Sequence, residues 1–197
     1  MKTEIEVKFL KQDHQKIRDS LVALGAECVQ PMRLMKRAII DFPDRRLQTG
    51  IDAFVRVRDE GDKITLTYKQ FDSLSVDGAK EIETRVDSFE DTVNIFVAIG
   101  LEIVSLQESK RETWKYKDFE IVLDEWPWLE PYIEVEGVSE EDLKTFTSEL
   151  GLDWAESVFG DVMAAYRAQY PQLTEKDTVG TLKEVRFDAP FPESWAR

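Results

Sequence analysis

The feature that most constrains this chain is a two-residue alternation in which full charges, rather than merely polar groups, occupy one side of segment after segment. EIEVKF at 4–9 sets Glu4, Glu6 and Lys8 against Ile5, Val7 and Phe9, because successive side chains of a β-strand point to opposite faces. FVRVR (54–58) repeats the design with Arg56 and Arg58, and ITLTYK (64–69) puts Lys69 with Thr65 and Thr67. EIETRV (81–86) lines up Glu81, Glu83 and Arg85, IVLDE (121–125) carries Asp124 beside Val122, and YIEVEG (132–137) carries Glu134 and Glu136 beside Tyr132. One such strand is the wet side of a half-buried sheet. An ordered series of them, each with an aliphatic or aromatic reverse face, asks for an enclosed place to put the charges.

Alternation predicts strands near 3–10, 35–42, 53–59, 63–70, 79–87, 109–117, 119–125 and 131–137, with turns at Glu60-Gly61-Asp62 and Lys117-Asp118. Helical spacing and caps predict a helix from Asp13 to Gly25, one opening on Ser88 with Asp91 and stopping at Gly100, and one opening on Ser139 with Asp142 and stopping at Gly151. A fourth is expected over 155–169. The helices need apolar surface to cover, so the apolar sides of the strands point outward to them and the charged sides point inward. The expected fold is therefore α+β: an eight-stranded antiparallel closed barrel with a charged lumen and helices packed outside, eight strands being enough to enclose one small ligand. Residues 1–170 form this tunnel domain, and 171–197, with Pro190, Phe191, Pro192 and Trp195, form a C-terminal tail that is extended or packed on the barrel.

Composition narrows the function. A net charge of −14 argues against general nucleic-acid binding. No apolar run is long enough to span a bilayer, and MKTEIEVK lacks a signal peptide's apolar stretch, so a cytoplasmic protein with no membrane partner is expected. The single Cys28 excludes an internal disulfide, and with only His14 and Cys28 neither a His/Cys zinc site nor a Ser-His-Asp centre is readily built. His14 reads as a surface residue and Cys28 as structural; the tail aromatics read as packing or as homodimer contacts.

The predicted lining holds seven acids (Glu4, Glu6, Glu81, Glu83, Asp124, Glu134, Glu136) against six bases (Lys8, Arg56, Arg58, Lys69, Arg85, Arg111). Near neutrality is a poor trap for a multiply charged anion. Clustered carboxylates repel unless a cation sits among them, and hard oxygen donors suit Mg²⁺ or Mn²⁺. With one or two such ions the interior would complement a chain of phosphates, which guanidinium groups grip in bidentate fashion.

The E-x-E-x-K at Glu4, Glu6 and Lys8 resembles the signature of the CYTH superfamily, the triphosphate tunnel metalloenzymes. R-x-R at 56–58, Lys69, E-x-E-x-R at 81–85, KRETW at 110–114, LDE at 123–125 and E-x-E at 134–136 follow in matching order, over about residues 3 to 160. The resemblance implies an eight-stranded antiparallel tunnel working on triphosphates with Mg²⁺ or Mn²⁺. It implies metal held by Glu4, Glu6, Glu134 and Glu136, with Asp124 assisting, and phosphates held by Lys8, Arg56, Arg58, Lys69, Arg85 and Arg111. Glu81 and Glu83 would orient the bases or help with metal, and Glu4, Glu6, Lys8 and Arg58 would carry the chemical step. Lys110 and Arg111 face opposite ways, and Arg111 is taken as the inward one.

Three features depart from that pattern. The second strand of the family often carries an acid shortly before an aromatic-aromatic-Asp, whereas RAIIDFP (37–43) has Arg37 and isoleucines, keeping Asp41 and Pro43. Glu156-Ser157-Val158 replaces a basic or Ser-Tyr element, and a His-Phe pair often found upstream of E-x-E-x-K in the cyclases has no counterpart here. The expected activity is thus metal-dependent hydrolysis of an inorganic or organic triphosphate. The alternatives are a class IV adenylyl cyclase making cyclic AMP and pyrophosphate, and a non-catalytic polyphosphate or nucleotide sensor. Trp126 and Trp128 in DEWPWLEP read as hydrophobic cover at a tunnel end or as a platform for a ligand ring.

Overall fold

A computed structural model describes residues 2–73 and 75–196; Met1 and Arg197, the outer limits of the two expected units, lie outside the described residues. The strands are β1 (Lys2–Glu4), β2 (Glu6–Phe9), β3 (Glu27–Asp41), β4 (Ala53–Asp59), β5 (Ile64–Phe71), β6 (Ala79–Val86), β7 (Glu102–Tyr116), β8 (Phe119–Glu125), β9 (Tyr132–Glu136) and β10 (Glu184–Val185). The α-helices are α1 (His14–Leu24), α2 (Arg46–Ile51), α3 (Phe89–Ala98), α4 (Glu140–Glu149) and α5 (Val162–Gln169). The sheet runs β1-β6-β5-β4-β3-β7-β8-β9-β2, antiparallel at every step, with β10 added parallel to β7.

The two ends of that path, β1 and β2, are separated only by Ile5, so the sheet is a nearly closed barrel. The expected first strand, 3–10, is therefore two pieces. Counting them separately gives nine strands around the barrel instead of eight, with β10 lying off it. β3 and β7 are each 15 residues long and reach well before the expected starts at 35 and 109. Pro31 cannot donate to a ladder, and the β3–β7 register shifts between Gln30 and Arg33, which breaks the alternation there. In β7 the inward residues Ser105, Gln107 and Ser109 are uncharged, so the pattern that marks the other strands is missing.

Helices cover the outside. Ile17 and Leu21 of α1 and Leu143 and Phe146 of α4 pack on Val7, Phe9, Ile121, Leu123, Ile133 and Val135, the apolar reverse sides of β2, β8 and β9. Val93 of α3 packs on Ala38, Ile40 and Val57. Each fully buried Leu or Phe of this kind is worth about 1.5–3 kcal/mol over its exposed state. The caps act as their sequences imply: Asp13 accepts from the Gln15 and Lys16 amides, Ser88 from the Asp91 amide and Ser139 from the Asp142 amide. Gly25 ends α1 at φ 81°, a conformation that costs other residues strain.

The fourth helix is shorter than expected. α5 begins only at Val162, because the chain around Val158 makes a two-hydrogen-bond bridge with Lys8 at 2.9 Å each way and turns at Gly160 with φ 101°. α2 lacks helical periodicity in its sequence and is instead held by Asp41, whose carboxylate accepts from the amides of Phe42, Leu47 and Gln48. The C-terminal segment packs on the barrel. Leu173, Val179, Val185 and Trp195 join Met163 and Tyr166 of α5 over Trp126 and Tyr132. His14 is buried rather than on the surface, its ring Nε2 donating to the Tyr132 carbonyl at 3.0 Å, and Cys28 is an exposed free thiol. Among the described residues no helix is long and apolar enough to cross a membrane.

Candidate functional site

The barrel encloses a cavity of about 1310 Å³. Register decides what lines it. Lys8 lies opposite Glu134 and Glu6 opposite Glu136; Lys69 faces Glu81, Thr67 faces Glu83 and Thr65 faces Arg85. Arg58 lies beside Arg37 on one side and Thr65 on the other. Glu4, Glu6, Lys8, Arg56, Arg58, Lys69, Glu81, Glu83, Arg85, Arg111, Glu134 and Glu136 all contribute to the wall.

Asp124 is the exception among the expected site residues. It is fully buried and does not line the cavity. Its two carboxylate oxygens accept from Arg111 Nε at 2.7 Å and Nη2 at 2.5 Å, so it sits behind that guanidinium and aims it.

The wall is an ordered set of ion pairs. Lys8 Nζ lies 3.1 Å from Glu6 and 2.9 Å from Glu134. Lys69 Nζ lies 2.5 Å from Glu4 and 3.7 Å from Glu6. Arg58 meets Glu60 at 2.6 Å, and Arg56 and Arg58 approach Glu83 at 3.9 and 3.7 Å. These pairings set the protonation states. Burial alone would favour the neutral forms of Lys8 and Lys69, but the facing carboxylates, Glu134 and Glu6 for Lys8 and Glu6 and Glu4 for Lys69, hold both amines above their ordinary value. Burial would likewise raise Glu134, but Lys8, Arg111 and Lys69 drive its carboxyl far below the usual range. Glu6 goes the other way: burial, then the Glu134 charge, raise it. Burial and the neighbouring Glu4 carboxylate push Glu81 up to about 7. Burial and Arg58 bring Arg56 down to about 10.

Several wall residues escape the alternating motifs. Glu60, assigned to a turn, is 2% exposed and gathers Arg58, Arg33 at 2.9 Å and Lys63 at 3.6 Å. Its signal was the even-numbered series Arg56, Arg58, Glu60. Arg37 also lies in the wall, with its guanidinium 4.4 Å over the Trp126 ring and a hydrogen bond to Ser109 Oγ. Here the readable sign was the odd-numbered series Arg33, Arg37, Asp41, hidden by Lys36 and the two isoleucines. Trp126 thus faces the cavity, whereas Trp128 belongs to the tail cluster, donating from its indole to the Ala189 carbonyl at 3.0 Å.

The donor set suits a hard divalent ion: Glu4, Glu6, Glu81, Glu134 and Glu136 bring carboxylate oxygens to one cavity, and the raising of Glu6 by Glu134 and of Glu81 by Glu4 marks close like-charged pairs that a cation would relieve. Lys8 and Lys69 now fill that neutralising role. Among the described residues no three acids, histidines or cysteines converge into a ready coordination sphere.

Residues 2–158 match the model of the CYTH domain. A protein of Methanocaldococcus jannaschii, provisionally named an adenylate cyclase, is 27% identical over 135 residues, which is 68% of this chain and 75% of that protein. Among solved structures, a provisionally named adenylate cyclase of Vibrio parahaemolyticus superposes with a TM-score of 0.72 at 14% identity, covering 84% of this chain and 98% of that one. A Hippeastrum protein, provisionally named an adenylyl cyclase and described as having a dominant triphosphatase activity, superposes with a TM-score of 0.56 at 16% identity, covering 84% and 96%. At these identities the two structures share the barrel fold with this chain.

Proposed function

The chain belongs to the CYTH domain family, whose members include adenylyl cyclases and triphosphatases, and on that premise we propose that it is a divalent-metal-dependent hydrolase of a triphosphate, inorganic or organic. The observation that carries this reading is the meeting, in one enclosed cavity, of Lys8, Arg56, Arg58, Lys69 and Arg111 with a bank of glutamates.

In this reading Arg56, Arg58 and Arg111 grip phosphate oxygens, their planar forks matching the anion. Asp124 keeps Arg111 charged and oriented, and Glu60 orients Arg58. Lys8 and Lys69 let go of Glu134 and Glu4 to meet the substrate, which frees those carboxylates for metal. Glu4, Glu6, Glu134 and Glu136 would hold the ion, with Glu81 and Glu83 assisting, and it would neutralise phosphate charge and lower the pKa of a bound water. Water attacks the terminal phosphorus, the P–O–P bond breaks in line, and orthophosphate and a diphosphate leave. The guanidinium groups stabilise charge building on the leaving oxygen. A carboxyl near neutrality such as Glu81 can take the proton that the attacking water gives up.

Cyclisation of ATP is the second reading, favoured by the provisional names of the Methanocaldococcus and Vibrio proteins. The Hippeastrum description weighs against reading such names as activities. One experiment separates the two. Purified protein is incubated with Mg²⁺ or Mn²⁺ and tripolyphosphate, thiamine triphosphate or ATP. Phosphate release that vanishes in Glu4→Gln and Glu136→Gln is the expected result. Cyclic AMP with pyrophosphate from ATP would replace the hydrolytic reading, and full activity in both variants would remove the metal assignment.

A further inference from the structure

Five cations of the cavity wall have a carboxylate within 4 Å: Lys8 has Glu134, Lys69 has Glu4, Arg56 has Glu83, Arg58 has Glu60 and Arg111 has Asp124. Arg37 does not. It is 5% exposed, yet among the described residues no carboxylate reaches it; its partners are the Ser109 hydroxyl and the face of Trp126, and its Nε has no hydrogen-bond partner. Its charged neighbours Arg56, Arg58 and Arg111 repel it, and Asp124, beyond ion-pair distance, attracts it less strongly. A buried, uncompensated cation is destabilising, and stacking on an indole returns only part of that loss. The fold keeps the charge while placing no carboxylate within ion-pair distance of it, whereas its neighbours Arg56, Arg58 and Arg111 each have one. The missing partner is an anion from outside, and the Trp126 ring fixes the plane in which the guanidinium meets it.

We propose that Arg37 is a specificity residue of the cavity, binding the terminal phosphate of a triphosphate and setting the preference for a triphosphate over a diphosphate. This rests on the reading of the cavity as a triphosphate site. Arg37 is paired across β3–β4 with Arg58, so the two guanidiniums form a double clamp. Arg56 lies one inward-facing position further along β4 and Lys69 is paired with Phe54, one position beyond that. A chain of phosphates laid along these levels reaches Arg37 only at one end. A shorter chain held by Lys69, Lys8 and Arg56 leaves Arg37 unmatched.

The test uses Arg37→Met, which keeps the stem on Trp126 and removes the charge, and Arg37→Lys, which keeps the charge without the fork. Calorimetric affinity for tripolyphosphate and for pyrophosphate, each with Mg²⁺, is measured alongside KM and kcat for phosphate release. Arg37→Met is expected to weaken tripolyphosphate at least tenfold and pyrophosphate less than threefold, with Arg37→Lys in between. The ligand-free Tm of Arg37→Met should be no lower than wild type, which a merely structural arginine would not permit. Wild-type affinity for tripolyphosphate in Arg37→Met, or equal losses for both ligands, overturns the assignment to Arg37 alone. Binding by the wild type without turnover overturns the hydrolytic reading alone, and absence of tripolyphosphate binding by the wild type overturns both.

Discussion

Removing the carboxylate of Asp124 should weaken the metal-free, ligand-free protein, because its geometry makes it the counter-ion of Arg111. Asp124 is wholly buried, the Arg111 side chain is 19% exposed, and two charge-assisted hydrogen bonds join them. Asp124→Asn preserves shape and one acceptor while leaving the guanidinium without its charge partner. Breaking a buried pair from one side costs about 3–5 kcal/mol. For a chain of this length each kcal/mol lowers Tm by roughly 2–4 °C, so thermal unfolding followed by circular dichroism in EDTA should show a drop of about 6–20 °C. The double variant Asp124→Leu with Arg111→Met removes both charges and should recover most of that loss, giving a coupling energy above about 1 kcal/mol. A residue that acted only as a metal ligand would behave differently. Its substitution would leave the EDTA-treated protein within about 1 kcal/mol of wild type and abolish only the stabilisation produced by Mg²⁺ or Mn²⁺. That second pattern would refute the placement of Asp124 behind Arg111.

The remaining predictions concern Glu81 and the C-terminal segment. The Glu81 carboxyl stands at about 7 against an ordinary 4.5, so the fold disfavours its ionised form. Its contribution to stability is complete below about pH 4.5 and is lost as pH rises through 7, worth roughly 1–3 kcal/mol once solvent screening is allowed for. Urea midpoints of the metal-free protein at pH 5 and pH 8 should therefore converge in Glu81→Gln relative to wild type; an unchanged pH difference would rule this out. Trp195 is 1% exposed and meets the rings of Trp128, Tyr166 and Phe191. Trp195→Ala should cost about 3–5 kcal/mol, read as a lower urea midpoint, and a loss under 1 kcal/mol would mean that the segment does not anchor the barrel.

The barrel was legible because four segments place charge at every second residue and two more carry a single charge on the same side, a pattern that no open sheet with a solvated face requires. That same signal brought Lys8, Arg58 and Glu134 to one cavity from distant parts of the chain. What escaped had a physical reason in each case. Asp124 carries the correct parity, but parity cannot tell a group that faces the lumen from one hidden behind a larger side chain. Glu60 ends its strand at a Gly-Asp turn, so turn chemistry masked an inward carboxylate. The early halves of β3 and β7 were lost to Pro31 and to uncharged inward residues, and α2 rests on Asp41 rather than on any helical period. The packing of the tail depends on long-range contacts of Trp128, Phe191 and Trp195, which no local pattern encodes.

The break at Ile5 divides the first strand between two flaps of the wall. Glu4 travels with β6, and Glu6 with β9. Between them the cylinder is sealed by a covalent step and by single hydrogen bonds, from Glu6 N to the Val76 carbonyl and from Gly137 N to the Ile5 carbonyl, each 3.0 Å, where elsewhere a full ladder does the sealing. Whatever grips both carboxylates at once therefore acts as a clasp across the zip of the tube, stiffening its weakest join while it fills the bore.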